Sequence, residues 1–444
     1  MSGPTRGPAV TVKPDVPGAA ARGGAPNAAT DSTGDGLWRH RDFRLLWLGD
    51  TASNVGSNVT AVALPLVAVT VLDATVLQVT VLTAAAWLPW LLVGLPAGAW
   101  VDRLRRRPLM ILCDLIAAAL FLTVPVAAVL GVLTIGHLLA VALAAGLARV
   151  FFETAGQVYL PSLLPPERLA AGNAGLTATR TASYVLGPGI AGLVAQLVGA
   201  VSALLLDVVS FLVSALCLRR IRTVERPPAA AGRPSLRREI AEGLGFVARD
   251  PYLRVLTASG AAANIGLTGY QALLVVFLVR EVGLAPGAVG LVVAAASLGG
   301  VAGAVLATRI GRRYGTARAM LIAAALTGPP ALLVPLTDTG GQWFWAPLGG
   351  SLVSFGVAVG NVVKSTFRQT YPPRRLLGRI TVSMQLLNYG TIPLAALSAG
   401  ALAGLLGTRP AILVMTGWLA VTPLILLIGP LRRRRDLPLA ATAT

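Results

Sequence analysis

Four stretches of this sequence place polar or charged residues every third or fourth position inside otherwise apolar runs. Asp50, Asn54 and Asn58 follow one another four apart, as do Arg149, Glu153 and Gln157. Asn264, Thr268 and Gln271 form a third set, and Asn361, Lys364 and Arg368 a fourth. At helical period, residues so spaced share one face. A polar stripe in hydrocarbon is costly, so each face must line a water-filled cavity or be paired. The chemistry open to such faces is proton exchange at a carboxylate, binding of polar groups on a solute, or internal neutralisation. For Asp50 a proton or substrate role stands beside a place near the headgroups. Arg149 and Glu153 can neutralise each other across one turn. Asp114 reads as a cap or interfacial pair, and Asp207 equally as a hydrogen-bond anchor or a transport residue. Arg180 can balance any of these carboxylates. Lys364 and Arg368 are expected to snorkel to the interface.

The elements that position these residues follow from composition. The chain has 444 residues, 55% hydrophobic and 12% charged, with mean hydropathy +0.73. Soluble proteins carry about 25% charged residues, so this is a polytopic membrane protein. A span needs about 20 apolar residues. Runs of that kind fall near 44–72, 76–100, 108–130, 136–158, 172–198, 200–218, 253–279, 288–308, 318–336, 343–366, 377–404 and 409–430. All are expected to be helices, because an open sheet leaves backbone groups unpaired in lipid. The fold class is therefore an all-α membrane protein with twelve transmembrane helices.

The net charge is +19, and 35 of the 37 basic residues are Arg. They lie in alternate breaks between apolar runs, which reads as topology rather than a nucleic-acid face. The Arg-rich breaks hold Arg39, Arg41 and Arg44, the group Arg103 to Arg107, Arg168, the central linker, Arg309 to Arg318, Arg368 to Arg379, and Arg432 to Arg435. The other breaks hold only Arg280 and Arg409. Both termini are therefore expected to be cytoplasmic, in a multi-pass protein of the cell membrane. No secretory signal is expected ahead of the first span. Cys113 and Cys217 fall inside spans and read as buried free thiols. His40 and His137 do not cluster, and no phosphate-binding loop is present, so neither a metal, a cofactor nor an enzyme is expected.

The chain divides into a disordered tail (1–36), six spans (37–218), a linker (219–252), six more spans (253–430) and a basic tail (431–444). Within the linker, Ser235 to Arg249 reads as an amphipathic helix on the membrane surface or a plain connector, with Leu236, Ile240, Leu244 and Val247 on one face. Two motifs stand out. Gly98, Asp102, Arg103, Leu104, Arg105, Arg106 and Arg107 are echoed 206 residues later by Ala304, Thr308, Arg309, Ile310, Gly311, Arg312 and Arg313. Each copy follows the second span of its half, which points to parallel repeats. In the fifth span, Ser183, Gly187, Pro188, Gly189, Ala191 and Gly192 read as a hinge or a close helix interface.

On these residues the chain resembles the major facilitator superfamily. The first motif is similar to its signature Gly-x-x-x-Asp-Arg-x-Gly-Arg-Arg, with Arg105 in place of the Gly. The second copy keeps Gly311 but has Thr308 for the Asp. Gly187-Pro188 resembles the fifth-span motif of the drug antiporters. Leu206-Asp207, Ser210-Phe211, Glu242-Gly243, Phe246-Val247, Asp250-Pro251, Leu253-Arg254, Arg368-Gln369 and Leu377-Gly378-Arg379 resemble the enterobactin and macrolide exporter branch. The resemblance implies two pseudo-symmetric six-helix halves rocking about a central site lined by the first, fourth, seventh and tenth spans. Gly98, Asp102, Arg103, Arg106, Arg107, Arg309, Gly311 and Arg312 would form the conformational latch. It further implies export of an amphipathic small molecule (a drug, siderophore or secondary metabolite) driven by protons, with Asp50 or Glu153 carrying the proton and the protein acting as a monomer. A metabolite importer or facilitator of the same fold is the alternative. A non-transporting sensor or scaffold is a further one.

Overall fold

The computed structural model describes residues 3, 35–101, 103–223, 225, 244–338, 340, 342–371 and 377–438. Asp102, nearly all of the tail 1–36, and the linker over 226–243 lie outside the described residues. Of the expected linker helix, only 244–249 is described, and it is helical.

Twelve helices among the described residues are long and apolar enough to cross a membrane. We number them α1 (Arg41–Thr70), α2 (Val76–Val101), α3 (Arg106–Val129), α4 (Ile135–Leu163), α5 (Pro166–Val198) and α6 (Ala200–Arg220) in the first half. The second half holds α7 (Pro251–Val276, ending in a π turn Phe277–Glu281), α8 (Pro286–Tyr314) and α9 (Thr316–Thr327, continued as a 3-10 helix Pro329–Leu336). It closes with α10 (Trp345–Thr370), α11 (Leu377–Leu406) and α12 (Thr408–Val421, continued by Pro423–Ile428).

Local signals set the ends. Thr134 caps α4 by accepting from His137 N–H (3.2 Å), and Asp250 caps α7 by accepting from Tyr252 and Leu253 N–H (3.0 and 2.8 Å). Proline at the first turn opens α5, α7 and α8, where its missing N–H costs nothing. Gly199 joins α5 to α6 at φ 91°, and Gly407 joins α11 to α12 at φ 92°. Both are left-handed positions that favour glycine, at equivalent places in the two halves.

The halves repeat one arrangement. In the first, α1 lies against α5 and α6, α2 against α4, and α3 against α4 and α6. In the second, α7 lies against α11 and α12, α8 against α10, and α9 against α10 and α12. The halves meet through α2 with α11 and α5 with α8, a pairing that the same repeat relates to itself.

Two spans differ from the sequence expectation. The eighth runs on to Tyr314, so Arg309, Gly311 and Arg312 lie in its last turns rather than in a loop. Nothing breaks that helix before Gly315, at φ 93°, whereas in the first copy Pro108 requires a new helix start just before it. The ninth span is interrupted at Gly328-Pro329-Pro330, because two consecutive prolines remove the donors that α-helical bonding needs.

Candidate functional site

The first-half stripes form two acid–arginine pairs. Asp50 on α1 meets Arg180 on α5 through two bonds, Nη2 to Oδ1 at 2.9 Å and Nε to Oδ2 at 3.3 Å. Asp50's side chain is 10% exposed and Arg180's 56%, so the pair presents its cationic side to solvent. Asn54 Nδ2 donates to Asp50 Oδ2 (3.0 Å) and its carbonyl (2.6 Å). Asn58 continues the ladder by donating to the Asn54 carbonyl (2.7 Å). On α4, Arg149 Nε donates to Glu153 Oε1 at 2.7 Å, with both side chains partly exposed. Gln157, one turn further, is exposed.

Aromatic residues, which periodicity reads as ordinary apolar positions, close one side of this region. Arg149 lies over the Trp87 ring, 5.7 Å from its centroid. Trp87 and Trp90 of α2 meet Tyr389 of α11 at 5.8 and 5.2 Å between centroids, bridging the two halves. An arginine over a tryptophan face is a cation–π contact.

Two further acids within the first-half spans, Asp207 and Asp114, are buried and stand outside these pairs. Asp207, 1% exposed, accepts from Thr60 Oγ1 (2.5 Å) and Ser210 Oγ (2.9 Å), which ties α6 to α1 beside Gly56. Its hydrogen-bond anchor role is therefore visible in the structure. Asp114 lies inside α3, 2% exposed and hydrogen-bonded to Ser214 of α6, so it is a buried helix-to-helix contact rather than a cap or an interfacial group.

In the second half, Asn264 Nδ2 donates to the Asn388 carbonyl (2.7 Å) and Thr391 Oγ1 (3.2 Å), joining α7 to α11. Asn264, Asn361, Lys364 and Asn388 line one cavity. Lys364 turns into that cavity rather than toward the interface. Gln271 is exposed and does not reach it. Asn388 and Thr391 lie outside the four polar stripes; their three-residue spacing is the signal that marks them.

The fifth-span motif is a contact surface. A Cβ at Gly192 would lie 2.7 Å from both the Gly290 Cα and the Pro286 carbonyl of α8, and one at Gly290 2.6 Å from the Pro188 carbonyl. Gly187 seats Asn58, whose Cβ would be 2.4 Å from a Cβ added there. On the matching side, Gly400 of α11 lies against Thr80 of α2. Asp73, in the turn after α1, pairs with Arg280 at the end of α7 (2.6 Å). Arg409 pairs with Glu281 (3.6 Å). The two arginines that break the charge alternation are thus both neutralised. The α5–α8 and α2–α11 contacts and the Asp73–Arg280 pair join the halves from the arginine-poor end to mid-helix. At the arginine-rich end, a Cβ on Gly98 would meet nothing within 4 Å.

The first-motif arginines serve their own half here. Arg107 donates to the Leu218 carbonyl (2.8 Å) and to that of Arg219, satisfying the end of α6. Arg106 and Arg107 N–H both donate to Glu225 (2.8 and 2.6 Å), which caps α3. Asp436, after the last span, accepts from Thr316 N–H at the start of α9 (2.9 Å), the same device in the other half. Arg103 stands in the turn after α2, and its N–H donates to the Trp100 carbonyl (3.0 Å).

The sequence matches the family model of the Major Facilitator Superfamily over residues 46–390. It is 29% identical over 415 residues to the multidrug efflux pump Tap of Mycolicibacterium fortuitum, covering 88% of this chain and 97% of that protein. To Tap of Mycobacterium tuberculosis it is 28% identical over 402 residues, covering 86% and 92%. Among solved structures, a point mutant of the nucleoside transporter NupG superposes with a TM-score of 0.73 at 11% identity, covering 87% of this chain and 99% of that one. A bacterial homologue of the iron transporter ferroportin, in an inward-facing state, gives 0.70 at 18% identity, covering 89% and 99%. Those two likenesses speak for the fold, which is the twelve-helix arrangement described above. The chain is a transporter rather than an enzyme, a multi-pass membrane protein belonging to the major facilitator superfamily.

Proposed function

We propose that this transporter is a proton-coupled exporter of an amphipathic small molecule (a drug, siderophore or secondary metabolite), working by alternating access between its two halves. The observation that carries the reading is the Asp50–Arg180 pair: a shielded carboxylate held by a half-exposed guanidinium. Protonating Asp50 removes the charge that holds Arg180, freeing the guanidinium to meet solute or Glu153. Glu153 and Arg149 form a second pair of the same kind. The Trp87, Trp90 and Tyr389 rings supply an apolar wall for the body of the solute. With the arginine-rich end cytoplasmic, the contacts at the opposite end support an inward-facing reading. The efflux pumps at 28–29% identity support export.

In the outward-facing state, closure at the arginine-rich end would bring Gly98, Asp102, Arg103 and Arg106 against the second half. Each half moves as a unit, and the protein acts as a monomer in the cell membrane with both termini cytoplasmic. Asp50→Asn and Glu153→Gln are expected to abolish gradient-driven transport in everted vesicles while the purified proteins remain folded. Unchanged transport in both variants overturns the coupling assignment. Uptake of solute into right-side-out vesicles with the gradient favours the importer reading instead.

A further inference from the structure

The chain uses Lys only twice, at Lys13 and Lys364; every other basic residue is Arg. Lys364 of α10 faces a cavity of about 170 Å³ inside the second half, with Asn264 and Asn388 among its other polar walls. Its Nζ comes against α7 at Gly260, where a Cβ would lie 3.9 Å from Nζ and 3.4 Å from Asn388 Oδ1. A lysine ammonium is a compact charge with three donors, and inside a membrane span it demands an anion.

The second half does not supply one. Between residues 253 and 430 the sequence contains only two acids, Glu281 and Asp338. Both stand at the arginine-poor end: Glu281 pairs with Arg409, and Asp338 follows the end of α9. Asp250, at the start of α7, gives Oδ1 to two backbone N–H groups and Oδ2 to the Tyr371 hydroxyl (2.7 Å). In the first half, Asp50 and Glu153 are already paired with Arg180 and Arg149. Among the described residues Lys364 has no ion pair. Arg368, one turn on, adds like charge.

We infer that Lys364, Asn264, Asn361 and Asn388 form a head-group subsite for one anionic group, a carboxylate, of the transported amphipathic solute. The inference rests on the reading of the chain as a carrier of such a solute. The ammonium supplies charge, and Asn361 and the second N–H of Asn388 supply donors that fix the carboxylate oxygens; Asn264, whose Nδ2 already donates to the Asn388 carbonyl and Thr391 Oγ1, holds that wall in place. An apolar cavity of about 150 Å³ holds one benzene-sized group, whereas drug-sized pockets run from about 300 Å³. The cavity therefore takes the acidic end of the solute alone, and the body stays outside it.

The test is equilibrium binding by fluorescence polarisation to the purified full chain in neutral detergent. Fluorescein carries a benzoate on a xanthene skeleton, and rhodamine 6G is a cation on a similar skeleton with that acid esterified. Saturable fluorescein binding is expected to weaken about tenfold or more in Lys364→Gln and to persist in Lys364→Arg. Rhodamine 6G binding is expected to be the same in all three. Benzoate should displace fluorescein and benzamide should not. Absence of saturable fluorescein binding to the wild type, or equal affinity in Lys364→Gln, overturns the inference. Displacement by phosphatidylglycerol but not by benzoate overturns it too, giving the amine to a lipid headgroup. Where Lys364→Gln loses rhodamine 6G as well, the benzoate and benzamide competition on the wild type decides. Binding needs no proton gradient, so Lys364-dependent binding in a protein that fails the efflux assay removes the export reading and leaves the subsite.

Discussion

Gly192 of α5 and Gly290 of α8 face each other so closely that a Cβ on either would lie 2.7 Å from the other's Cα. The two halves touch backbone to backbone there, and no side chain is available to yield. A methyl at this point forces the helices apart. Gly192→Ala and Gly290→Ala are each expected to reduce transport at least tenfold while the protein still inserts and purifies. Gly404→Ala serves as the control, because its added Cβ would meet nothing within 4 Å. Equal transport by Gly192→Ala and Gly404→Ala in vesicles would sink the interface assignment.

Asp50 and Arg180 should be thermodynamically coupled. Because Arg180 is half exposed, the coupling should be modest, about 1 kcal/mol rather than the several expected of a fully buried pair. The measurement is a double-mutant cycle on thermal or denaturant stability with Asp50→Asn, Arg180→Gln and the double variant. Additive effects would show that the pair contributes geometry without energy.

Asp73 and Arg280 span the two halves at the arginine-poor end, with Asp73 nearly fully exposed. Salt should therefore screen the contact. Asp73→Asn is expected to shift the population toward the state open at that end, and the exchange Asp73→Arg with Arg280→Asp is expected to reverse the shift. Distances between spin labels on the two halves report the change. A distribution indifferent to both variants and to salt counts against a gating role.

Glu225 accepts from the first two N–H groups of α3 and so plays the part of an N-cap from a distant point in the chain. Loss of a capping acid costs about 1 kcal/mol. Glu225→Gln is expected to lower the melting temperature of the purified protein and to loosen the turn around residue 105. Asp436→Asn should act likewise on α9. Hydrogen exchange at the first turns of α3 and α9 locates the effect, and unchanged protection at both would refute it.

Several features were legible in the chain alone. Length and hydropathy set the number of helices, because a bilayer tolerates only segments of a certain length with every backbone group paired. The alternation of arginines separated one end from the other. The four-residue spacing of Asp50, Asn54 and Asn58 marked one face, since helical period is a property of a single segment. Pairing between segments was not legible. Arg180 could have balanced any of the first-half acids; it meets Asp50 because α5 lies against α1 at that rotation. Asp207 shares its span type with Asp50 yet faces Thr60 and Ser210 across a helix contact. Lys364, long enough to snorkel, instead enters a cavity that Gly260 leaves open. Gly187 and Gly192 announced closeness without naming Asn58 and Gly290 as partners. Periodicity fixes which side of a helix a residue occupies; only the crossing of helices decides what that side meets.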